Sequence, residues 1–358
     1  MHIPDQLHDA KIFVNKFRYN ADKISNSEKI YPDLYKEISN NLYQDNLLIS
    51  DALTPSISKS INTVCKRLKM PSGSVQAFVY PSEQLQACCL ASSLDKTILR
   101  FSSHLLDLLT EEEIEFVIGH EIGHFLLGHG IINHDQKGAH IQSFMQKRFQ
   151  EISADRVGLI ACKSIDKAIN AMLKLSSGLS SKYLRFDISA FISQLDKSEY
   201  NFSEQNIFST HPSNLLRCRS LLWFSLTDCV SRGNNYYNKN QMIKLDNRVE
   251  QDLNNFVDGP IIERINEVKN SYKLWVAAEI ITRDGVFDKK EQAVFLSLFD
   301  PGLMDKLINF IWGLNKSEIQ DTISKKIENT KSEIQYLIPN TYKEETAKIE
   351  KDIRSNFK

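Results

Sequence analysis

The chain has 358 residues, with 44 Lys and Arg against 45 Asp and Glu, and 42% of its residues are hydrophobic. That length suits about two domains with packed cores, and a formal net charge of -1 offers no field to gather nucleic acid or an anionic membrane. Thirteen Gly and nine Pro exclude low-complexity and loop-rich architectures, and six cysteines with no C-x-x-C spacing exclude a disulfide framework or structural zinc.

Met1-His2-Ile3-Pro4-Asp5-Gln6 carries no basic leader region, and no apolar stretch with a cleavage site follows. No window holds the roughly 20 uncharged residues of a spanning helix. The expectation is a cytoplasmic protein with reduced thiols and no membrane insertion.

Helical spacing runs through Tyr31–Leu42 and Ile57–Leu68, with Pro55 as a break between them. Pro71-Ser72-Gly73 marks a turn. Ser74–Tyr80 and Thr97–Phe101 read as short strands, and Pro81–Asp95 as the connection between them. Thr110-Glu111-Glu112-Glu113 predicts a sharp helix start through a capping box, with the helix running to about His129. Ile131–His140 reads as a polar loop, and Ile141–Cys162 and Ile165–Leu175 as helices. The turn Thr210-His211-Pro212-Ser213 precedes a helix at Asn214–Trp223.

Gly233-Asn234-Asn235 marks a further loop, and Asp258-Gly259-Pro260 a domain boundary. Beyond it lie only helices, at Ile261–Ile281, Lys289–Phe299 and Leu303–Leu314, then a charged tail, about Glu344–Lys358, expected as a solvated helix or frayed end. The fold class is α+β. An N-terminal helical segment (1–56) leads into a mostly helical domain with a small sheet (57–258), followed by an all-helical domain (259–358). Thr282–Glu291 has Gly285 and Glu291 where a calcium loop needs them. Its first and third positions are Ile280 and Thr282, which cannot supply carboxylates, so calcium is excluded.

The chemistry concentrates in His120-Glu121-Ile122-Gly123-His124, an H-E-x-x-H pentad inside a helix. Residues four apart share a helix face, so both imidazoles can bind one metal ion while Glu121 reaches a water on it. A catalytic zinc takes three protein ligands. His129 lies five residues past His124, where the metzincin pattern needs six and finds Gly130, so it reads as a helix-end residue. The third ligand is expected to be Glu151, with Asp155 on the same helix face as a carboxylate that fixes a ligand imidazole. Cys88 and Cys89 read as small buried residues rather than a thiolate switch.

H-E-x-G-H, then E-x-x-x-D, then His211-Pro212 with Arg217 six residues past the histidine, resembles the gluzincin peptidases of the HtpX and CAAX-prenyl-endopeptidase type. Leu105-Leu106 and Gly128-His129 extend the resemblance, which covers about Ile57–Leu222. It implies a zincin-like fold with one Zn2+ held by His120, His124 and Glu151, and Glu121 as general base and acid. It further implies that Asp155 braces His120, and that His211 stabilises the oxyanion with Arg217 nearby. Substrate backbone would pair with an edge strand at Tyr80–Ala87, where Gln86-Ala87 stands for the family's frequent Asn-Ala. Ala277-Ala278-Glu279, Asp284-Gly285 and Glu291 look like a tellurite-resistance TerB-type helical module over Val268–Phe310. The leading expectation is a zinc endopeptidase acting on cytoplasmic protein or peptide, with the C-terminal helices as a regulatory element open to a partner. The alternative is a latent or inactive peptidase fold serving as a binding or sensor protein.

Overall fold

Four short strands form one sheet in the order β1-β2-β4-β3: β1 (Leu47–Leu48), β2 (Val75–Tyr80), β3 (Ala87–Ser92) and β4 (Thr97–Ser102). β2 and β4 run parallel, with Val75 opposite Thr97 and Tyr80 opposite Ser102. β1 and β3 pair antiparallel on either side, β3 placing Ala87 opposite Phe101 and shifting register between Cys89 and Ala91. The structure, a computed structural model, describes residues 7–22, 32–71, 73–92, 95–129, 141–194, 212–255, 259–283, 289–311, 313–339 and 341–357. The chain divides into two compact units, residues 1–138 with 144–256, and residues 139–143 with 257–358.

The first unit holds the sheet and the helices α1 (His8–Asn15), α2 (Pro32–Asp45), α3 (Pro55–Arg67), α4 (Ser103–Leu108), α5 (Glu111–Leu126), α6 (Ile141–Cys162), α7 (Ile165–Ser177), α8 (Ile188–Ile192), α9 (Asn214–Ser225), α10 (Asp228–Ser231) and α11 (Lys239–Leu253). Pro55 opens α3 rather than breaking a helix, a position where its missing N–H costs nothing. Residues 7–22 pack into this same unit, with Leu7, Ala10, Val14, Phe17 and Tyr19 buried. The rings of Phe17 and Phe224 meet edge to face at 6.0 Å.

The motif helix α5 begins as its sequence dictates. Thr110 accepts from the Glu113 N–H, and the Glu113 carboxylate accepts from the Thr110 N–H at 2.8 Å and from Lys174 Nζ at 2.7 Å. α5 is buried nearly all round, as befits a central helix, and packs against α1, α3, α7 and β3. It ends at Leu126, earlier than the expected His129, because Gly128 adopts φ 68° and turns the chain back. Two further expectations are corrected. Residues 87–92, read as part of a connection, form β3; its hydrogen bonds to β4 override the weak strand signal of Ala-Cys-Cys-Leu-Ala-Ser.

The second correction lies in the other unit, which comprises α12 (Gly259–Ile281), α13 (Lys289–Leu298), α14 (Pro301–Ile311), α15 (Lys316–Leu337) and α16 (Tyr342–Asn356). The charged tail is the helix α16, and it is not solvated all round. Thr346, Ile349 and Ile353 form a buried stripe, and α16 packs on α12 and α15. Tyr272 donates its hydroxyl to Glu350 at 2.5 Å, and Lys269 pairs with Glu345 at 3.0 Å. The Asp284-Gly285 turn lies outside the described residues.

Small residues set the approach of α5 to α6. A Cβ added at Gly119 would stand 2.4 Å from Ala161 Cβ, and one at Gly123 would stand 3.0 Å from Val157 Cβ. On the other side, a Cβ at Gly158 would meet the Phe116 ring and carbonyl at 2.9 Å. None of these neighbours is the free end of a flexible chain, so the helices themselves must part. Gly119→Ala is expected to lower unfolding free energy by about 1–3 kcal/mol, read from urea denaturation. Adding Ala161→Gly in the same chain should recover most of that loss.

Candidate metal centre

Three side chains converge between α5 and α6. His120 Nε2 and His124 Nε2 lie 3.1 Å apart, one turn separating them on α5. Across the gap, Glu151 places Oε1 3.3 Å from His124 Nε2 and Oε2 3.5 Å from His120 Nε2. A tetrahedral ion with bonds of about 2.0–2.1 Å spaces its ligand atoms about 3.3 Å apart, which these separations approach, with Glu151 turning a different oxygen to each imidazole. Two imidazole nitrogens and a carboxylate aimed at one point in a buried place need a cation or shared protons between them. The donor set suits zinc.

Each imidazole is held from behind. His120 Nδ1 lies 2.9 Å from Asp155 Oδ1. His124 Nδ1 lies 2.9 Å from His129 Nδ1, and His129 Nε2 lies 2.8 Å from Asp22 Oδ2. Burial pushes the His129 imidazole down to about 4 despite its Asp22 bond. For His124, burial favours the neutral form, but Glu151 outweighs it and raises the pKa.

Glu121 turns its carboxylate towards the sheet, where the Cys89 N–H donates to Oε2 at 3.0 Å. The edge strand that meets the motif helix is therefore β3, at Cys89, a residue the sequence reading did not connect with Glu121. Ala87 opens that strand. Gln86 precedes it with an exposed side chain that accepts from the Tyr80 hydroxyl at 2.9 Å, while its carbonyl accepts from Ser102 N at 2.9 Å. Both neighbouring thiols are held protonated: burial pushes Cys88 up to about 11 and Cys89 to about 12.

Arg217, in the first turn of α9, donates Nε to Asp155 Oδ2 at 2.8 Å and Nη2 to Asp155 Oδ1 at 2.6 Å. Its Nη2 also lies 3.3 Å from Glu151 Oε2. Burial alone would raise both carboxyls, but the Arg217 guanidinium overrides it, holding Asp155 low and Glu151 well below the usual range. Arg217 thus faces one candidate ligand, Glu151, and the carboxylate behind another, Asp155 behind His120. His211 lies outside the described residues. Ser213, two positions on, caps α9 by accepting from Leu216 N at 3.4 Å. Removing the guanidinium takes from both buried carboxylates the partner that does most to keep them ionised. Arg217→Met should cost about 3–5 kcal/mol in unfolding free energy, measured by urea denaturation of the metal-free protein.

Comparison with known proteins bears on this geometry. Residues 51–146 and 137–223 match the family described as Peptidase family M48. The chain is also similar to the plastoglobule-localized metallopeptidase 48, chloroplastic, of Arabidopsis thaliana, at 26% identity over 171 residues. That match covers 40% of this chain and 50% of the relative, so the chain spans about half the length of the curated relative it matches. No solved structure matches. Both similarities support the M48 metallopeptidase family.

Proposed function

We propose that the protein is a zinc-dependent endopeptidase hydrolysing peptide bonds of protein or peptide substrates. The observation that carries this reading is the convergence of His120, His124 and Glu151 within 3.1–3.5 Å, beside the Glu121 carboxylate. His120, His124 and Glu151 would hold zinc, which would supply Lewis acidity towards the scissile carbonyl and acidify the attacking water. Glu121 takes the proton of the attacking water and passes it to the leaving nitrogen. The Cys89 N–H holds one oxygen of that carboxylate and leaves the other for the proton. Asp155 fixes His120, and Arg217 keeps Asp155 and Glu151 ionised. His211 supplies a donor to the developing oxyanion. Substrate backbone adds to the edge of the sheet near Gln86, Ala87 and β3.

The motif set favours a member of the HtpX and CAAX-prenyl-endopeptidase type, centred on residues 57–258. Among the described residues no helix is long and apolar enough to cross a membrane. Cytoplasmic protein is the proposed substrate pool. The helices of residues 259–358, read as TerB-like, contribute none of the residues above and act as a regulatory element open to a partner.

Glu121→Gln is expected to retain zinc and lose cleavage of an unfolded protein such as casein by at least about a thousandfold. Wild-type turnover in that variant would sink the assignment. Chelation should abolish wild-type cleavage, and added zinc should restore it. Zinc-loaded wild type that cleaves no unfolded protein would favour the binding-protein reading. A chain ending at Phe256 should change its cleavage rate if the C-terminal helices regulate it; an unchanged rate removes that role.

A further inference from the structure

The two zinc-facing histidines are supported differently, and the difference assigns a role to residues far from the motif. His120 meets a carboxylate directly, Asp155 at 2.9 Å. His124 meets another histidine, and the carboxylate stands one residue further out, on Asp22. We propose that Asp22 and His129 form a hydrogen-bonded relay that positions His124 as a metal ligand and fixes its tautomer. This inference rests on the reading of His120, His124 and Glu151 as the metal ligands.

The directions of the bonds follow from what each atom can do. The Asp22 carboxylate only accepts, so His129 Nε2 carries a proton and donates to it at 2.8 Å. One proton lies between the two facing Nδ1 atoms, 2.9 Å apart, and His124 must carry it if its Nε2 is to bind a metal. With its proton on Nδ1, His124 presents a lone pair on Nε2, the atom turned towards His120 and Glu151.

The backbone builds this arrangement into the end of α5. Gly128 in the left-handed region closes the helix with a paired motif: the His129 N–H donates to the His124 carbonyl at 2.9 Å, and the Gly128 N–H to the Phe125 carbonyl at 3.2 Å. That turn commonly brings two apolar side chains together across the helix end, and here it brings two imidazoles together. Five residues of spacing, too few for a third metal ligand, are what this second role requires.

Asp22 is anchored independently of His129. Ser153 Oγ donates to it at 2.6 Å, Gln146 Nε2 at 3.1 Å, and Arg18 Nη1 lies 3.3 Å away. Arg18 also donates to the Leu127 carbonyl, at the close of α5. The side chains of His129 and Asp22 are 1% and 0% exposed, so water does not compete for these bonds.

The test measures metal affinity rather than turnover. Zinc is titrated into the full chain against a chromophoric chelator, and cobalt is substituted to read the visible spectrum of the centre. His129→Leu and Asp22→Asn should each weaken zinc about 10- to 100-fold and alter the cobalt bands. His129→Gln, which keeps an acceptor and a donor, should recover part of the affinity. Circular dichroism of the metal-free proteins checks folding; if His129→Leu fails to fold, Asp22→Asn decides. Wild-type zinc affinity and an unchanged cobalt spectrum in the folded variants overturn the relay alone. Failure of the wild type to bind zinc overturns both the relay and the proposed function.

Discussion

Gly119 and Gly123 bring the backbone of α5 against Ala154, Val157, Gly158 and Ala161 of α6, and that approach sets the reach of each side chain in the metal centre. Helix axes usually lie about 8–10 Å apart, with the contacting side chains deciding where in that range they fall. Imidazole and carboxylate are short. His120 and His124 on one helix can share a point with Glu151 on the other only when little stands between the backbones. The ligand geometry is a packing result before it is an electrostatic one, and Gly123 belongs to that packing although it sits inside the motif.

The same proximity gathers charge. Glu121, Glu151 and Asp155 are all buried near one another, and such a group persists only with compensating partners. Arg217 reaches two of them from α9, and the Cys89 N–H reaches the third from the sheet. The candidate metal centre is therefore assembled by four separate parts of the chain: α5, α6, α9 and β3. The segment before α2 adds a fifth through Asp22. The proposed cation would add positive charge beside these carboxylates.

Much of this was legible in the sequence because it is local. The H-E-x-x-H pentad, the four-residue step from Glu151 to Asp155, and the Thr110–Glu113 cap depend only on helical periodicity. What could not be read depends on distant contacts. Ala87–Ser92 has small residues and no alternation, so only its ladder to β4 makes it a strand. His129 has a visible position but an invisible partner, since Asp22 lies 107 positions away. One signal for it was present: a histidine just past a helix-ending glycine, where an apolar residue is usual. The charged tail misled for a related reason. Thr346, Ile349 and Ile353 are spaced for a buried face, but the surrounding Lys and Glu dominate the composition.

The bond from the Cys89 N–H to Glu121 has a mechanical meaning. It joins an edge strand of the sheet to the Glu121 carboxylate, which has no ion pair with Arg217 among the described contacts. Movement of β3 is thereby movement of Glu121. Under the proposed substrate pairing, a strand added at β3 would stiffen it and so steady Glu121. An extended segment can make that pairing with its main chain alone, whatever its side chains, whereas a folded surface cannot. Selection by such an edge would read whether a polypeptide is unfolded before it reads its sequence.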